Sequence, residues 1–436
     1  MKTALTASVS ESVNQQRALV ESLFDQLEQS SRDEPGVTRA PYGPDETFAH
    51  GIMKACAENL GLEIRSDAAA NTYMTLPGSD RTRAPIITGS HLDSVAHGGN
   101  FDGAAGVVAG LAAIAAIKRM GLTPTRDITV MGVRAEESVW FQVSYIGSRG
   151  ALGALPDGAL DVTRVDTGRS LADHIAECGG DTDALRRGER YLDPARIHAF
   201  LEVHIEQAPS LVEAGVPVGL CIGIPGNFRY PNARILGRYD HVGTPRRFRH
   251  DAMMAGAEIA MALDRIWEEN ENAGRPMAVT FGRFHTDTAV HGMTTVPGEF
   301  HFSLDVRAYA PKVLTEVEAQ FHTAIKVIEQ RLGVKFELGP RAEAGVGEVS
   351  PRILSGLDAA ANALGVPTMR LGSPASHDAA AFAKAGVPMA MLFVRNENGS
   401  HNPDEAMEID DFMKAVSILT QWLVDETCNA GAPIAS

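Results

Sequence analysis

The chain has little cysteine, no excess of positive charge, no long hydrophobic run and no internal repeat, and each deficit removes a class of function. Four cysteines occur in 436 residues, Cys56, Cys178, Cys221 and Cys428, with no C-x-x-C spacing. Neither a disulfide framework nor a thiolate zinc site is expected from them, and a reducing cytoplasm suits them. Lysine and arginine number 39 against 55 aspartates and glutamates, a formal net charge of -16. Nucleic acid and anionic membrane both require a basic footprint, so neither is expected as a partner. The most apolar window, Gly103 to Ile117, is built of small residues, closed by Asp102 and Lys118, and too short for a bilayer span. The first residues, Met1 to Leu5, run into Ser8, Ser10, Glu11 and Asn14, so no export signal is expected.

What remains is an ordinary enzyme composition, 44% hydrophobic and 22% charged. The length exceeds what one hydrophobic core serves, which predicts two or three domains. Apolar spacing predicts helices over 18–29 and 45–60, a strand over 71–76 and a buried parallel strand from Ala84 to Thr88 that delivers His91. A helix over 103–120 and a strand over 127–134, which delivers Glu136-Glu137, come next. After a polar stretch, 199–205 is a strand carrying His204. From Asn227 the texture changes to strand, helix 251–266, strands 277–284 and 299–308, helix 314–332 and strand 334–338, a βαββαβ unit able to fold alone. Helix-strand alternation then returns with helices 351–364 and 378–385, strand 388–394, a loop at Gly399-Ser400-His401 and a terminal helix over 410–428. The fold class read from this is α/β, a doubly wound, mainly parallel catalytic sheet with an inserted α+β domain. Its boundaries are residues 1–220 and 346–436 for the catalytic domain and 221–345 for the insertion.

In such sheets ligands sit beyond the carboxyl ends of the strands, where His91, Glu136, Glu137, His204 and His401 all fall. With Asp102, these residues suit a pair of hydrolytic metal ions, which need a bridging carboxylate, further imidazole or carboxylate ligands, and open positions for water and substrate. Of two adjacent carboxylates one can bind metal while its neighbour takes a proton from water. Strand alternation would turn them apart, so the loop must let both point inward.

Several motifs, in order along the chain, resemble one family. They are G-S-H-x-D-S-V from Gly89, G-G-x-F-D-G-x-x-G-V from Gly98, Glu136-Glu137, Gly147-Ser148-Arg149, His204-Ile205-Glu206-Gln207, P-G-E-x-x-F-x-L-D-x-R from Pro297 to Arg307, and S-H-x-P-x-E from Ser400 to Glu405. Together they look like the hydantoinase/carbamoylase-type amidases, which include N-carbamoyl-L-amino-acid hydrolases, allantoate amidohydrolases and β-ureidopropionases. These belong to the aminoacylase and carboxypeptidase-like clan of dinuclear metallohydrolases. The resemblance implies a hydrolase of carbon–nitrogen bonds in linear amides or amidines that uses two divalent ions, Zn or Mn, with Co or Ni as further candidates. It implies that the inserted domain is a lid that mediates homodimerisation, and that the partner molecule is a small substrate bearing a carboxylate.

By that resemblance His91, Asp102 and His401 hold one metal, Asp102, Glu137 and His204 hold the other, and Asp102 bridges. Glu136 is the general base, and Asp93 orients His91. His241 reaches the substrate carbonyl across the dimer, and Arg307 grips the substrate carboxylate with its planar fork. Asn227, Thr294 and Ser376 are further candidate substrate contacts. The chain departs from the family pattern at Thr294, usually asparagine, at Asn227, often glutamine, at Ser138, usually glycine, and at Trp140, usually arginine. Pro245-Arg246-Arg247 interrupts a usually threonine-rich run, and its arginines point to a more anionic substrate. Competing readings are a dipeptidase or N-acyl-amino-acid deacylase of the same clan, and a binding protein that has kept the fold without catalysis.

Overall fold

The computed structural model describes residues 2–428, which form two compact units. One contains the chain up to Ile222 and again from Val349; the other is Gly223–Glu348.

The first unit is organised by an eight-stranded sheet in the order Glu63–Ser66, Thr72–Leu76, Ile128–Val133, Ile86–His91, Ala199–Ile205, Met389–Val394, Val218–Cys221, Thr368–Leu371. Four of its seven neighbouring pairs are parallel; antiparallel pairing occurs at the Glu63 edge and where Met389–Val394 meets Val218–Cys221. The central strands Ile86–His91, Ile128–Val133, Ala199–Ile205 and Met389–Val394 are buried throughout, as continuous apolar runs predict for a sheet covered on both faces. Side-chain alternation along Ala199–Ile205 shows the two coverings. Leu201, Val203 and Ile205 join the core formed with helices Ala104–Arg119 and Ile409–Thr427, while Phe200 stacks on Phe382 of helix Asp378–Lys384 with ring centroids 3.8 Å apart. The small residues of Ala104–Arg119 let that helix lie close on the sheet: a Cβ on Gly106 would come within 2.5 Å of the Val203 carbonyl oxygen.

Three short strands of this sheet, Glu63–Ser66, Val218–Cys221 and Thr368–Leu371, escape the sequence reading, each being only four residues long. A helix at Lys2–Asn14, before the first one expected, also escapes it. Among the described residues no helix is long and apolar enough to cross a membrane.

The second unit is a sheet in the order Lys335–Glu337, Gly226–Leu236, Glu299–Ala308, Met277–Thr286, antiparallel throughout, with Ala342–Ala344 also pairing on Gly226–Leu236. Along Glu299–Ala308 every second residue is buried, Phe300, Phe302, Leu304, Val306 and Ala308, against helices Ala252–Asn272 and Pro311–Leu332. Arg307 and Asp305 therefore stand on the opposite, polar face. The element order is the expected βαββαβ, and the unit is cut at 222/223 and 348/349 where the sequence reading cut at 220/221 and 345/346.

Candidate metal centre

The four central strands run mutually parallel, so their carboxyl ends lie on one edge of the sheet. His91 is the last residue of its strand, His204 the last but one of the next, and Glu136-Glu137 and His401 follow the other two within loops. These residues line a cavity of about 130 Å³ together with Asp102, Ser138, Ser144, Tyr145, Gln207, Ala375, Ser376 and His377.

Both acidic side chains reach the cavity because the backbone before them is turned and fastened. Ala135 adopts a φ of +56°, which breaks the strand alternation. Buried Glu46 accepts the Ala135 N–H at 3.0 Å through one oxygen and Arg134 Nη1 at 2.6 Å through the other. Asp93 accepts the N–H of Glu136 and of Glu137, each at 3.0 Å, one on each carboxylate oxygen. The same Asp93 faces His91, whose Nδ1 lies 3.0 Å from its main-chain carbonyl and 3.3 Å from Oδ1. Asp93 is thus a clamp that holds three site residues at once.

The donor atoms fall into two groups that share Asp102: His91, Asp102 and His204, and Asp102, Glu137 and His401. This corrects the division implied by the resemblance, which put His401 with His91 and His204 with Glu137. The reason is topological. Strands Ile86–His91 and Ala199–Ile205 are neighbours, so their histidines converge on one oxygen, with Asp102 Oδ1 at 3.5 Å from His91 Nε2 and 3.1 Å from His204 Nε2. His401 approaches instead from its loop, at 3.1 Å from Glu137 Oε1 and 3.5 Å from Asp102 Oδ2.

Hydrogen bonding shows that the groups fit a cation. His204 Nδ1 lies 2.9 Å from the Ile205 carbonyl and must carry the proton there, while its Nε2 accepts the Gly103 N–H at 3.2 Å. The same Nε2 stands 3.1 Å from Asp102 Oδ1, a buried oxygen with no hydrogen-bond donor of its own. A carboxylate oxygen and an imidazole nitrogen so close are held by a cation between them, a proton or a metal ion. The second oxygen of Asp102 is supported differently, by Gln207 Nε2 at 2.6 Å and by the Ser400 hydroxyl. Glu405 holds the backbone there, accepting the N–H of Phe101 at 2.9 Å and of Asp102 at 3.2 Å, while its other oxygen lies 2.6 Å from Ser400 Oγ. Gly103 completes the turn with a φ of +67°, and any Cβ at that position would collide with the His91 imidazole.

The electrostatics match so much charge in a buried place. Burial pushes the Glu136 carboxyl well above the usual range against the pull of His91, and Glu137 and Asp378 push it the same way. Burial alone would raise Asp102 too, but His204 and His91 hold it well below the carboxylate norm. Its bond to Glu137 raises His401 to about 9. Two divalent cations would take over the charge that these protons balance, releasing protons as they bind. A third cluster, Glu202, His204 and His377, is already satisfied: Glu202 accepts the Ser90 hydroxyl at 2.5 Å and the Ala379 N–H at 2.8 Å, and His377 Nε2 pairs with Ser373 Oγ at 3.0 Å.

The family described as Peptidase family M20/M25/M40 matches residues 82–425, which include every one of these donors. The chain belongs to this family. It is 31% identical over 401 residues to the N-carbamoyl-L-amino acid amidohydrolase of Geobacillus stearothermophilus, covering 92% of this chain and 91% of the relative. It is 30% identical over 394 residues to the allantoate amidohydrolase of Escherichia coli, covering 89% and 92%. Among solved structures it superposes on a hydantoinase/carbamoylase family amidase from Burkholderia ambifaria with a TM-score of 0.80 at 25% identity, covering 94% of this chain and 96% of that one. The resemblance read from the motifs is thereby borne out, and with it the divalent-metal chemistry of the M20 family.

The remaining site candidates divide between the units. Ser376 lines the metal cavity, whereas His241, Asn227, Thr294 and Arg307 belong to the second unit. There the structure brings them together in pairs. His241 lies on a two-stranded ribbon opposite Thr295, next to Thr294, whose carbonyl accepts the Val242 N–H at 2.9 Å. Asn227 and Arg307 are partners across adjacent strands. Arg307 holds Asp305 through two bonds of 3.2 and 3.3 Å, and Arg229 shares that carboxylate at 2.7 Å. Arg249 is occupied with the carbonyls of Val242 and Thr244, so it shapes the ribbon. Trp140 is buried and donates to the Ser94 carbonyl at 2.9 Å. Sequence reasoning missed the roles of Gln207, Ser400 and Glu405 although all three stand in quoted motifs, and it missed Tyr145, for which the sequence offers no signal.

Proposed function

We propose that the chain hydrolyses a linear amide or ureido carbon–nitrogen bond in a small carboxylate-bearing substrate such as an N-carbamoyl amino acid. His91, Asp102 and His204 would hold one divalent ion and Asp102, Glu137 and His401 a second, Zn or Mn, with Co or Ni as alternatives. Such ions supply an activated water and polarise the carbonyl. Glu136, beside these ligands but in neither donor group, accepts a proton from that water and returns it to the leaving nitrogen. Asp93 keeps Glu136 and Glu137 aimed into the cavity.

The resemblance extends the reading to the second unit, as a lid and dimerisation domain. Arg307 and Asn227 bind the substrate carboxylate, and the partner's His241, with Thr294 beside it, meets the carbonyl oxygen. Arg307 is free to exchange Asp305 for a substrate, because an exposed ion pair is worth only about 0–1 kcal/mol. The scattered cysteines favour a cytoplasmic location.

One observation carries the proposal: the buried Oδ1 of Asp102, without a hydrogen-bond donor, approached by His204 Nε2 at 3.1 Å and His91 Nε2 at 3.5 Å. The experiment is reconstitution of the metal-free protein with Zn or Mn, then ammonia and amine release across N-carbamoyl, N-acyl and dipeptide substrates. Metal-dependent ammonia release from N-carbamoyl compounds is the expected result. Turnover of N-acyl compounds or dipeptides alone would replace the proposal with a deacylase or dipeptidase.

A further inference from the structure

The lining of the metal cavity outside the donor groups says which part of a substrate enters it. The cavity measures about 130 Å³, well under the roughly 300–1,000 Å³ of pockets that enclose a whole drug-sized ligand. It has room for metal ions and the reacting head of a substrate only. Its lining combines the carboxylates of Asp102, Glu136 and Glu137 with the hydroxyls of Ser138, Ser144, Tyr145 and Ser376, and among the described residues no lysine or arginine lines it. A substrate carboxylate placed there would meet three carboxylates and no lysine or arginine. An N–H donor would find acceptors on every side.

Tyr145 is the unusual member of that wall. It adopts a φ of +59°, a conformation costly for a bulky residue and kept only where the surroundings enforce it. Its N–H donates to the Glu136 carbonyl at 3.1 Å, and the next residue, Ile146, donates to the Ala135 carbonyl at 3.0 Å. Tyr145 is thereby tied to the loop that carries the acidic pair. The Arg149 guanidinium covers its ring at 5.3 Å from the centroid, and Tyr145 and Ser376 both line the cavity. Ser376 is itself fixed, standing directly before buried His377 and before Asp378, which accepts the Ser148 hydroxyl at 2.6 Å. Each of these two hydroxyls has lone pairs to offer.

We infer that Tyr145 and Ser376 form a subsite for the N–H groups of a terminal carbamoyl group, and so select ureido over acyl substrates. The inference rests on the hydrolytic reading above and narrows it. An acyl methyl in the same place would leave both hydroxyls without a ligand partner, and a site built to hydrogen-bond discriminates against analogues that cannot respond.

The test uses the metal-loaded full chain and three derivatives of one amino acid, N-carbamoyl, N-formyl and N-acetyl. The readout is the ratio of kcat/KM for the carbamoyl compound to that for each acyl compound. In Tyr145→Phe and in Ser376→Ala the ratio should fall about tenfold, the worth of one neutral hydrogen bond. Ser376→Ala removes only a hydroxyl, so it decides the matter even if Tyr145→Phe does not fold. A ratio unchanged in both variants, with carbamoyl turnover intact in the parent, overturns the subsite and leaves the hydrolytic reading standing. A parent that cleaves acyl compounds but no carbamoyl compound overturns both.

Discussion

Replacing Asp93 with asparagine tests whether the acidic pair is aimed by a clamp or merely lies on a loop. In the native protein one carboxylate oxygen receives the Glu136 N–H and the other the Glu137 N–H, each at 3.0 Å, and the residue is fully buried. Asparagine keeps one acceptor and puts an NH2 where the other was. One N–H then trades a charge-assisted bond for a neutral one, at about 1 kcal/mol, and the other is left buried facing a donor, at about 1–3 kcal/mol. Some repulsion among Asp93, Asp102 and Glu136 is relieved at the same time, so the expected net loss in denaturant unfolding of the metal-free protein is about 2–3 kcal/mol. The displaced Glu137 should also weaken metal binding by about 10–100-fold, the usual effect of removing such support. Calorimetric titration of the apo protein with Zn and equilibrium unfolding of the same preparation give both numbers. A variant within 0.5 kcal/mol of the parent that binds metal equally well would refute the clamp, since asparagine in the place of Asp93 sets its NH2 against one of the two N–H donors (threshold set by the ordinary scatter of about ±0.5 kcal/mol for neutral substitutions).

Glu136→Gln should keep both metals and lose about 10²–10⁴-fold in turnover, whereas Glu137→Gln should lose metal; equal metal loss in the two would show their roles to be misassigned. Gly103→Ala should lower metal affinity by tenfold or more, about the weight of a supporting contact, because the new Cβ displaces His91; an unchanged titration would show that the turn yields instead. Glu426 is held down to about 2 chiefly by its bond to His198, with Arg352 adding to it and burial opposing. A carboxyl depressed in the folded state gives stability that is present above the unfolded value near 4.5 and fades as pH falls from there through 2. After discounting for its partial exposure, Glu426→Gln should cost about 1–2 kcal/mol at pH 7 and almost nothing near pH 2; a pH-independent cost would exclude this account. Finally, if a partner's His241 completes each site, mixing Glu136→Gln with His241→Ala subunits under exchange should restore about a quarter of the parent's sites. No recovery despite exchange would confine each site to its own chain.

How far the molecule was readable in advance depended on periodicity. Ala199–Ile205, Glu299–Ala308 and Pro351–Leu364 were placed to the residue, because continuous burial, strict alternation and a helical apolar stripe each leave a distinct spacing. Val218–Cys221 and Thr368–Leu371 leave none: at four residues each they are strands only because a neighbour pairs with them. The donors His91, Glu137, His204 and His401 were legible as residue types at strand ends, and Asp102 at the opening of a helix, but their division into two groups was not. That division follows from which strands are adjacent, and nothing local to His204 records that Ile86–His91 lies beside it. The left-handed turns at Ala135 and Tyr145 were equally hidden, since neither residue type favours that conformation and each is held by a contact the local sequence does not announce, Ala135 to Glu46 and Tyr145 to the Glu136 carbonyl.

The placement of the second unit within the first sets an order of events during synthesis. His91, Asp102 and His204 all precede Gly223, whereas His401 follows Glu348, as does Met389–Val394, the strand that pairs with Ala199–Ile205. A chain emerging from the ribosome therefore presents the first donor group early, then makes an entire unit with its own core, and only afterwards delivers the last donor. Because domains tend to fold as they emerge, the inserted unit can be complete while its host is still an open sheet with one seam unfilled. The second donor group closes only when that seam does, so a chain interrupted anywhere before His401 carries at most half a metal centre.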